Sequence, residues 1–292
     1  MKPPPFAYHR PDTLDEVLAL LAELGDDAKV LAGGQSLVPM LNLRLARFDH
    51  LVDIGRVAEL STFERRNGDL VIGAGVRDRV LERDPEIAAA APLLHAVTPY
   101  IGHFQIRNRG TVGGSMAHAD PAAEYPAAAV ALGAEFELAS SGGTRTVPAA
   151  EFFTGFWSTA AEPDELLRAI SFPTWGERSG FGIAEFARRH GDFAIAGAVA
   201  AIQVDGAGAI ARSAVTAFGV GATPIAVEAA AALAGTVPAD VAAAELAERA
   251  VAAFEDVTDD PQVPAAYRRR VAAAVIADAW RHALADLERT SP

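Results

Sequence analysis

The residues best suited to chemistry in this chain are two glycine pairs, each followed by a polar side chain. The first, Ala32-Gly33-Gly34-Gln35-Ser36-Leu37, comes directly after the strand-like run Lys29-Val30-Leu31-Ala32. Adjacent glycines allow positive φ and place no Cβ between a ligand and the main chain. Successive N–H groups can then turn toward one anion, with the Ser36 hydroxyl as a further donor. The second, Thr111-Val112-Gly113-Gly114-Ser115, repeats the pattern farther along the chain and adds the Thr111 hydroxyl beside Arg107 and Arg109. A single Gly-Gly after a strand is more often a tight turn than a site. Two such segments suit the two phosphates of a dinucleotide, clamped from opposite sides.

Other nucleotide motifs are poorer. No G-x-x-x-x-G-K-[ST] occurs, and Gly206-Ala207-Gly208-Ala209-Ile210-Ala211 has the wording of a Rossmann fingerprint but runs into another strand rather than a helix, so it reads as a hairpin turn. His118, Asp120 and Ser115 lack the flanking patterns of a metal pair or a hydrolytic triad. His118 and Asp120 are expected to shape the loop after the second glycine pair.

Composition narrows the chemistry further. The 292 residues carry a net charge of −13, which argues against gripping a nucleic-acid backbone. There is no cysteine, hence no disulfide, no thiolate nucleophile and no ligand set for an iron–sulfur cluster, so redox work needs a bound organic cofactor. The opening residues show no apolar leader and no later stretch has the length and apolarity of a membrane span, so the expected address is the cytoplasm.

The elements that must hold these segments can be read coarsely. Thr13-Leu14-Asp15-Glu16 is a capping box that opens a helix ended by Gly25. With strands at 29–32 and 51–54 and a Leu-rich segment between them, this makes a βαβ-like opening unit. Strands at about 60–65 and 69–74 flank the turn Asn67-Gly68, helical patterns fill about 77–103, and 111–116 reads as a glycine loop. A helix follows at about 121–132 and a hairpin at 134–148. A boundary is expected near Phe172 to Glu177; beyond it come strands at about 181–188, 196–204 and 209–219 and helices at about 224–234, 239–254 and 264–288. The class is α+β. The domains are expected at 1–175, with subdomains of about 1–56 and 57–175, and at 176–292.

Val30 to Met40, Ile106 to Ser115, His118 to Glu124, Arg188-Arg189-His190-Gly191-Asp192-Phe193-Ala194-Ile195-Ala196-Gly197 and Pro264 to Arg270 together resemble the FAD-binding medium (flavoprotein) subunit of molybdenum hydroxylases, the carbon monoxide dehydrogenase and xanthine dehydrogenase family. The likeness spans nearly the whole chain, in order.

The resemblance implies a two-subdomain α/β FAD-binding region of the vanillyl-alcohol-oxidase/PCMH-like kind, then a C-terminal domain of a small antiparallel sheet plus helices. It also implies non-covalent FAD, with the pyrophosphate between Ala32, Gly33, Gly34, Gln35, Ser36 and Leu37 on one wall and Thr111, Val112, Gly113, Gly114 and Ser115 on the other. Ile101 falls at an apolar cofactor contact, His118 and Asp120 beside the second wall, and Glu124 at an acidic position that meets the cofactor's polar parts. Asp192 and Phe193 fall near the isoalloxazine ring. Family members often carry a lysine shortly before the arginine pair, where this chain has Glu185-Phe186-Ala187. The implied partners are a small subunit with two [2Fe–2S] clusters and a large subunit with the molybdenum cofactor, in a dimer of heterotrimers, with this chain passing electrons to a terminal acceptor. Two other readings remain open from the residues: a stand-alone FAD-dependent reductase or oxidase of related fold, and a non-catalytic nucleotide-binding module.

Overall fold

The computed structural model describes residues 2–290 in three successive sheet-and-helix units. The first holds β1 (Ala7–His9), α1 (Leu14–Leu24), β2 (Ala28–Leu31), α2 (Leu37–Leu43) and β3 (His50–Asp53). All three strands are parallel, in the order β1-β3-β2. The capping box is formed: Thr13 Oγ1 accepts from Glu16 N at 3.3 Å, and Glu16 Oε2 accepts from Thr13 N. Val17, Leu18 and Leu21 are then the buried stripe of α1, packed with Val52 and Ile54 from β3 and the residue after it.

The middle unit contains β4 (Phe63–Arg66), β5 (Asp69–Gly73), α3 (Asp78–Leu81), α4 (Pro85–Ala90), α5 (Pro92–Val97), α6 (Phe104–Arg107), α7 (Val112–His118) and α8 (Glu124–Leu132). It continues through β6 (Glu135–Ser140), β7 (Gly143–Pro148), α9 (Ala149–Phe152), β8 (Phe153–Gly155), β9 (Ser158–Thr159) and β10 (Leu166–Pro173). Its five-stranded antiparallel sheet runs β4-β5-β10-β6-β7. The central strand, β10, has no counterpart among the expected strands. A register shift between Leu167 and Ala169 breaks the apolar alternation that would have marked it. The helical patterning at 77–103 resolves into several short helices, since Pro85, Pro92 and Pro99 each restart a turn.

The last unit comprises β11 (Ser179–Phe186), β12 (Ala196–Val204), β13 (Ile210–Phe218), β14 (Ile225–Ala226), α10 (Glu228–Ala231), α11 (Ala243–Ala252) and α12 (Ala265–Thr290). The expected helix at 224–234 is shorter than its composition suggests, because Ile225 and Ala226 pair with β13 instead.

The two faces of this sheet have different partners. On β11, Gly180 and Gly182 lie under α12 so closely that a Cβ would stand 2.2 Å from the carbonyl oxygens of Ala283 and Ala279. The alternate residues, Phe181 and Ile183, point the other way and join the core built by α5 and α8. Glu185 continues that second row. One strand therefore belongs to the C-terminal sheet and also closes the core of the middle unit.

Candidate functional site

The first glycine pair sits where β2 gives way to α2. Ile54 N donates to Leu31 O at 3.0 Å, which ends the strand. Gly34 then turns the chain at φ +72, a conformation costly for any residue with a Cβ. Val38 N returns to Gly34 O at 3.1 Å, and Gln35 Nε2 donates to Gly33 O at 2.9 Å. Among the described residues, the N–H groups of Gly33, Gly34, Gln35 and Ser36 donate to no protein acceptor, although Gly33 is buried. Consecutive free N–H groups at a partly buried turn are the donor set that an anion requires.

The second segment is built differently. Thr111 is the N-cap of α7, and its Oγ1 accepts from Gly114 N at 3.0 Å, so 112–116 is the opening of a helix rather than a loop. The N–H groups of Val112 and Gly113 are already engaged, donating to Val76 O and Ala74 O at 3.0 Å each. Gly113 lies against Ala74, where a Cβ would stand 2.2 Å from that residue's own. The two glycine pairs are therefore unequal: the first offers main-chain donors, while the second gives close packing plus the hydroxyls of Thr111 and Ser115.

The two segments meet. A Cβ on Gly33 would stand 2.3 Å from Arg109 O and 2.7 Å from the Gly110 Cα, and one on Gly114 would stand 3.5 Å from the Ala32 Cβ. A small cleft lined by Ala32, Ile54, Gly55, Ser61, Gly75, Arg77 and Thr111 touches the two segments at Ala32 and Thr111.

The edge that carries Arg109 and Gly110 is braced from behind by residues outside the sequence expectation. The Arg77 guanidinium donates to Arg109 O, and Asp78 N donates to Gly110 O at 3.1 Å. The Asp78 carboxyl is buried, with Oδ1 lacking any partner; burial pushes it up to about 7 against the nearby Arg77 and Arg107. Arg107 is structural, its buried guanidinium bonded to Glu82 Oε1 at 2.9 Å and to Ile101 O at 3.0 Å. The Arg107 hydrogen bond in turn holds the Glu82 carboxyl below its ordinary range.

Elsewhere, Glu124 meets Glu185 and the 188–193 turn meets His103. Glu124 opens α8, and its carboxyl lies within hydrogen-bonding reach of Glu185 on β11. The charge of Glu185 also acts on Tyr100, next to Ile101. The 188–193 turn is tied to the same region through Gly191, which lies so close to His103 that a Cβ would stand 2.5 Å from the ring. Asp192 and Phe193 are exposed, Phe193 to 75%. His118 Nε2 lies 4.0 Å from Asp120; burial lowers the His118 pKa, and Asp120 Oδ1 accepts from Ala122 N at 2.9 Å. Among the described residues no cluster of side chains could hold a metal ion, and no helix is long and apolar enough to cross a membrane.

Asp78, Arg77 and Glu185 carry no motif, so sequence reasoning missed their roles. The only signal is Glu185 itself, in the run Glu185-Phe186-Ala187 just before the arginine pair.

Comparison with known proteins places these features in context. The profile of the FAD binding domain in molybdopterin dehydrogenase matches residues 4–175, and that of the CO dehydrogenase flavoprotein C-terminal domain matches 183–283. The carbon monoxide dehydrogenase medium chain of Afipia carboxidovorans is 36% identical over 98% of this chain and 99% of its own length. The 6-hydroxypseudooxynicotine dehydrogenase complex subunit alpha of Paenarthrobacter nicotinovorans is 43% identical over 77% of this chain and 76% of its own. Among solved structures, the carbon monoxide dehydrogenase from Hydrogenophaga pseudoflava lacking the Mo-pyranopterin moiety superposes with a TM-score of 0.93 at 37% identity, covering 98% of this chain and 99% of the other.

Proposed function

The chain belongs to the FAD-binding medium subunits of the molybdenum hydroxylase family, and on that premise we propose that it takes electrons from the [2Fe–2S] clusters of a partner subunit and delivers them to a terminal acceptor. The observation that carries this reading is the turn at Gly33 to Ser36, whose N–H groups have no protein acceptor, held in backbone contact with the Arg109–Gly110 edge. Such a turn fits a pyrophosphate, and the hydroxyls of Thr111 and Ser115 complete the opposing wall.

When bound, FAD supplies the ability to accept electrons singly and release them in pairs. The protein's own part is to bind and orient. Gly33, Gly34, Gln35 and Ser36 would hold the phosphates through main-chain N–H groups; Thr111, Val112, Gly113, Gly114 and Ser115 would form the facing wall. Ala32 and Leu37 flank the turn. Ile101, Glu124, Asp192 and Phe193 would surround the flavin end, with His118 and Asp120 fixing the loop between the two loci. No residue of this chain is assigned to bond-making on the substrate.

With no cysteine, the chain holds no cluster of its own. The clusters therefore belong to a small iron–sulfur subunit and the molybdenum cofactor to a large one, assembled as a dimer of heterotrimers in the cytoplasm. The relatives, a carbon monoxide dehydrogenase medium chain and a subunit of a 6-hydroxypseudooxynicotine dehydrogenase complex, support a multi-subunit oxidoreductase without fixing the substrate, which the molybdenum subunit selects.

Electron flow tests the reading. A complex purified with all its subunits, and one from cells lacking this chain, are reduced anaerobically with dithionite and mixed with menadione as acceptor. The clusters should reoxidise on the order of tenfold or more slowly without this chain, a barrier difference of about 1.4 kcal/mol or more. Equal rates would show that electrons leave the complex by another route.

A further inference from the structure

Glu124 and Glu185 reach one another from different units of the fold. Glu124 is the first residue of α8, whereas Glu185 lies on β11 in the row of Phe181 and Ile183 that faces the α5 and α8 layer. Their carboxyl groups are within hydrogen-bonding reach, and Glu185 Oε2 is buried with no partner. Two ionised carboxylates in that half-buried arrangement would repel each other, whereas one shared proton supplies the missing hydrogen bond.

The surroundings offer no cationic compensation. The groups acting on the pair are the backbone N–H of Glu124, which favours the ionised form of that residue, Asp120 from the loop before α8, and the two carboxyls themselves; Tyr100 and Tyr125 lie close enough to feel their charge. No arginine, lysine or histidine is among them. Histidines on the neighbouring elements are engaged elsewhere: His95 of α5 bonds Leu81 O, His103 packs on Gly191, His118 lies 4.0 Å from Asp120, and His282 of α12 bonds Ile183 O. Burial first, and then the facing carboxyl, raises Glu124; burial raises Glu185.

We propose that Glu185 is a positioning residue of the cofactor site: it shares a single proton with Glu124 and so holds Glu124 as a hydrogen-bonding group at the flavin end. The placement of that end rests on the functional reading above; the shared proton does not. The consequence is a link between proton and electron. Added electrons near the pair favour a second proton on it, taken from water, and as pH rises the pair loses its proton and opposes reduction. The Glu124–Glu185 contact thereby makes the flavin potential more sensitive to pH than the flavin alone would be.

Two measurements on the assembled complex decide this. Infrared difference spectra between neutral and alkaline pH, recorded with Asp78→Asn as the parent so that the other buried carboxyl pushed up to about 7 is silent, should show a protonated-carboxyl band in the parent that disappears when either Glu185→Gln or Glu124→Gln is added. Its absence from the parent, or its persistence in both variants, would overturn the shared proton whether or not the cofactor is where we place it. Redox titration of the flavin should show a potential that falls more steeply with pH, from neutral to alkaline, in the wild type than in Glu185→Gln. The amide keeps the volume of the side chain and removes the shared proton, so a purely structural Glu185 would leave that slope unchanged. Coincident slopes would overturn the role in positioning while leaving the FAD assignment standing.

Discussion

Replacing Gly33 by valine should give an assembled complex that is almost colourless. A Cβ at this position would stand 2.3 Å from Arg109 O, 2.7 Å from the Gly110 Cα and 2.9 Å from the Arg109 carbonyl carbon. All three are backbone atoms, so no side chain can swing aside. The edge they belong to is itself held by the Arg77 guanidinium and by Asp78 N. The Gly33 turn must therefore withdraw and take the N–H groups of Gly33 to Ser36 out of register with the facing wall. Losing about 3 kcal/mol of phosphate binding corresponds to a more than hundredfold rise in the dissociation constant. Flavin absorbance per complex, with assembly checked by size exclusion, reads the outcome. Gly114→Ala is the contrast: its Cβ would meet Thr111 Oγ1 at 2.8 Å and the Ala32 side chain at 3.5 Å, contacts that a small rotation relieves, so most of the flavin should remain. A fully yellow Gly33→Val complex would remove this turn from the cofactor site.

The second large effect concerns Asp78 and is read through stability. The unfolded chain ionises this carboxyl near 3.8, whereas burial in the native state pushes it up to about 7. Between those values the native state binds more protons than the unfolded one. The contribution of Asp78 is thus fully present below the unfolded pKa, declines as pH rises toward about 7, and is constant above. Asparagine cannot ionise and escapes that decline. Asp78→Asn should therefore gain on the wild type by roughly 2–4 kcal/mol between acid and neutral pH, on top of a constant penalty for a buried amide with few partners. Thermal unfolding of both proteins across that range measures the difference directly. The comparison is needed because Glu82, lowered by Arg107, works in the opposite sense and is lost as pH falls. A pH-independent difference would mean that Asp78 is ionised in the native protein, paired with Arg77 or Arg107.

How far the sequence discloses this arrangement depends on the range of the signal. The capping box of α1 and the hairpin at Asn67-Gly68 are local, each determined by residues within a few positions of one another, and both are read correctly. The central strand β10 escapes because its bulge shifts the apolar period midway. Helix α7 is mistaken for a loop because two glycines look like a breaker, while its stability comes from the Thr111 cap and from bonds to Ala74 and Val76. The glycine pairs are plain in the sequence, but not that Gly33 is required by the carbonyl of a residue far along the chain. The burial of Asp78 and the meeting of Glu124 with Glu185 depend on packing between distant segments, which no spacing in the sequence records.

On the proposed reading this chain carries the FAD of a multi-subunit oxidoreductase at its two glycine segments. The most direct test is the cofactor released by acid from the purified, assembled complex, identified by chromatography and counted against this subunit. The expected result is FAD, one molecule per copy of the chain. A complex that contains the chain but releases no FAD, and takes none up when FAD is supplied in excess, would contradict it.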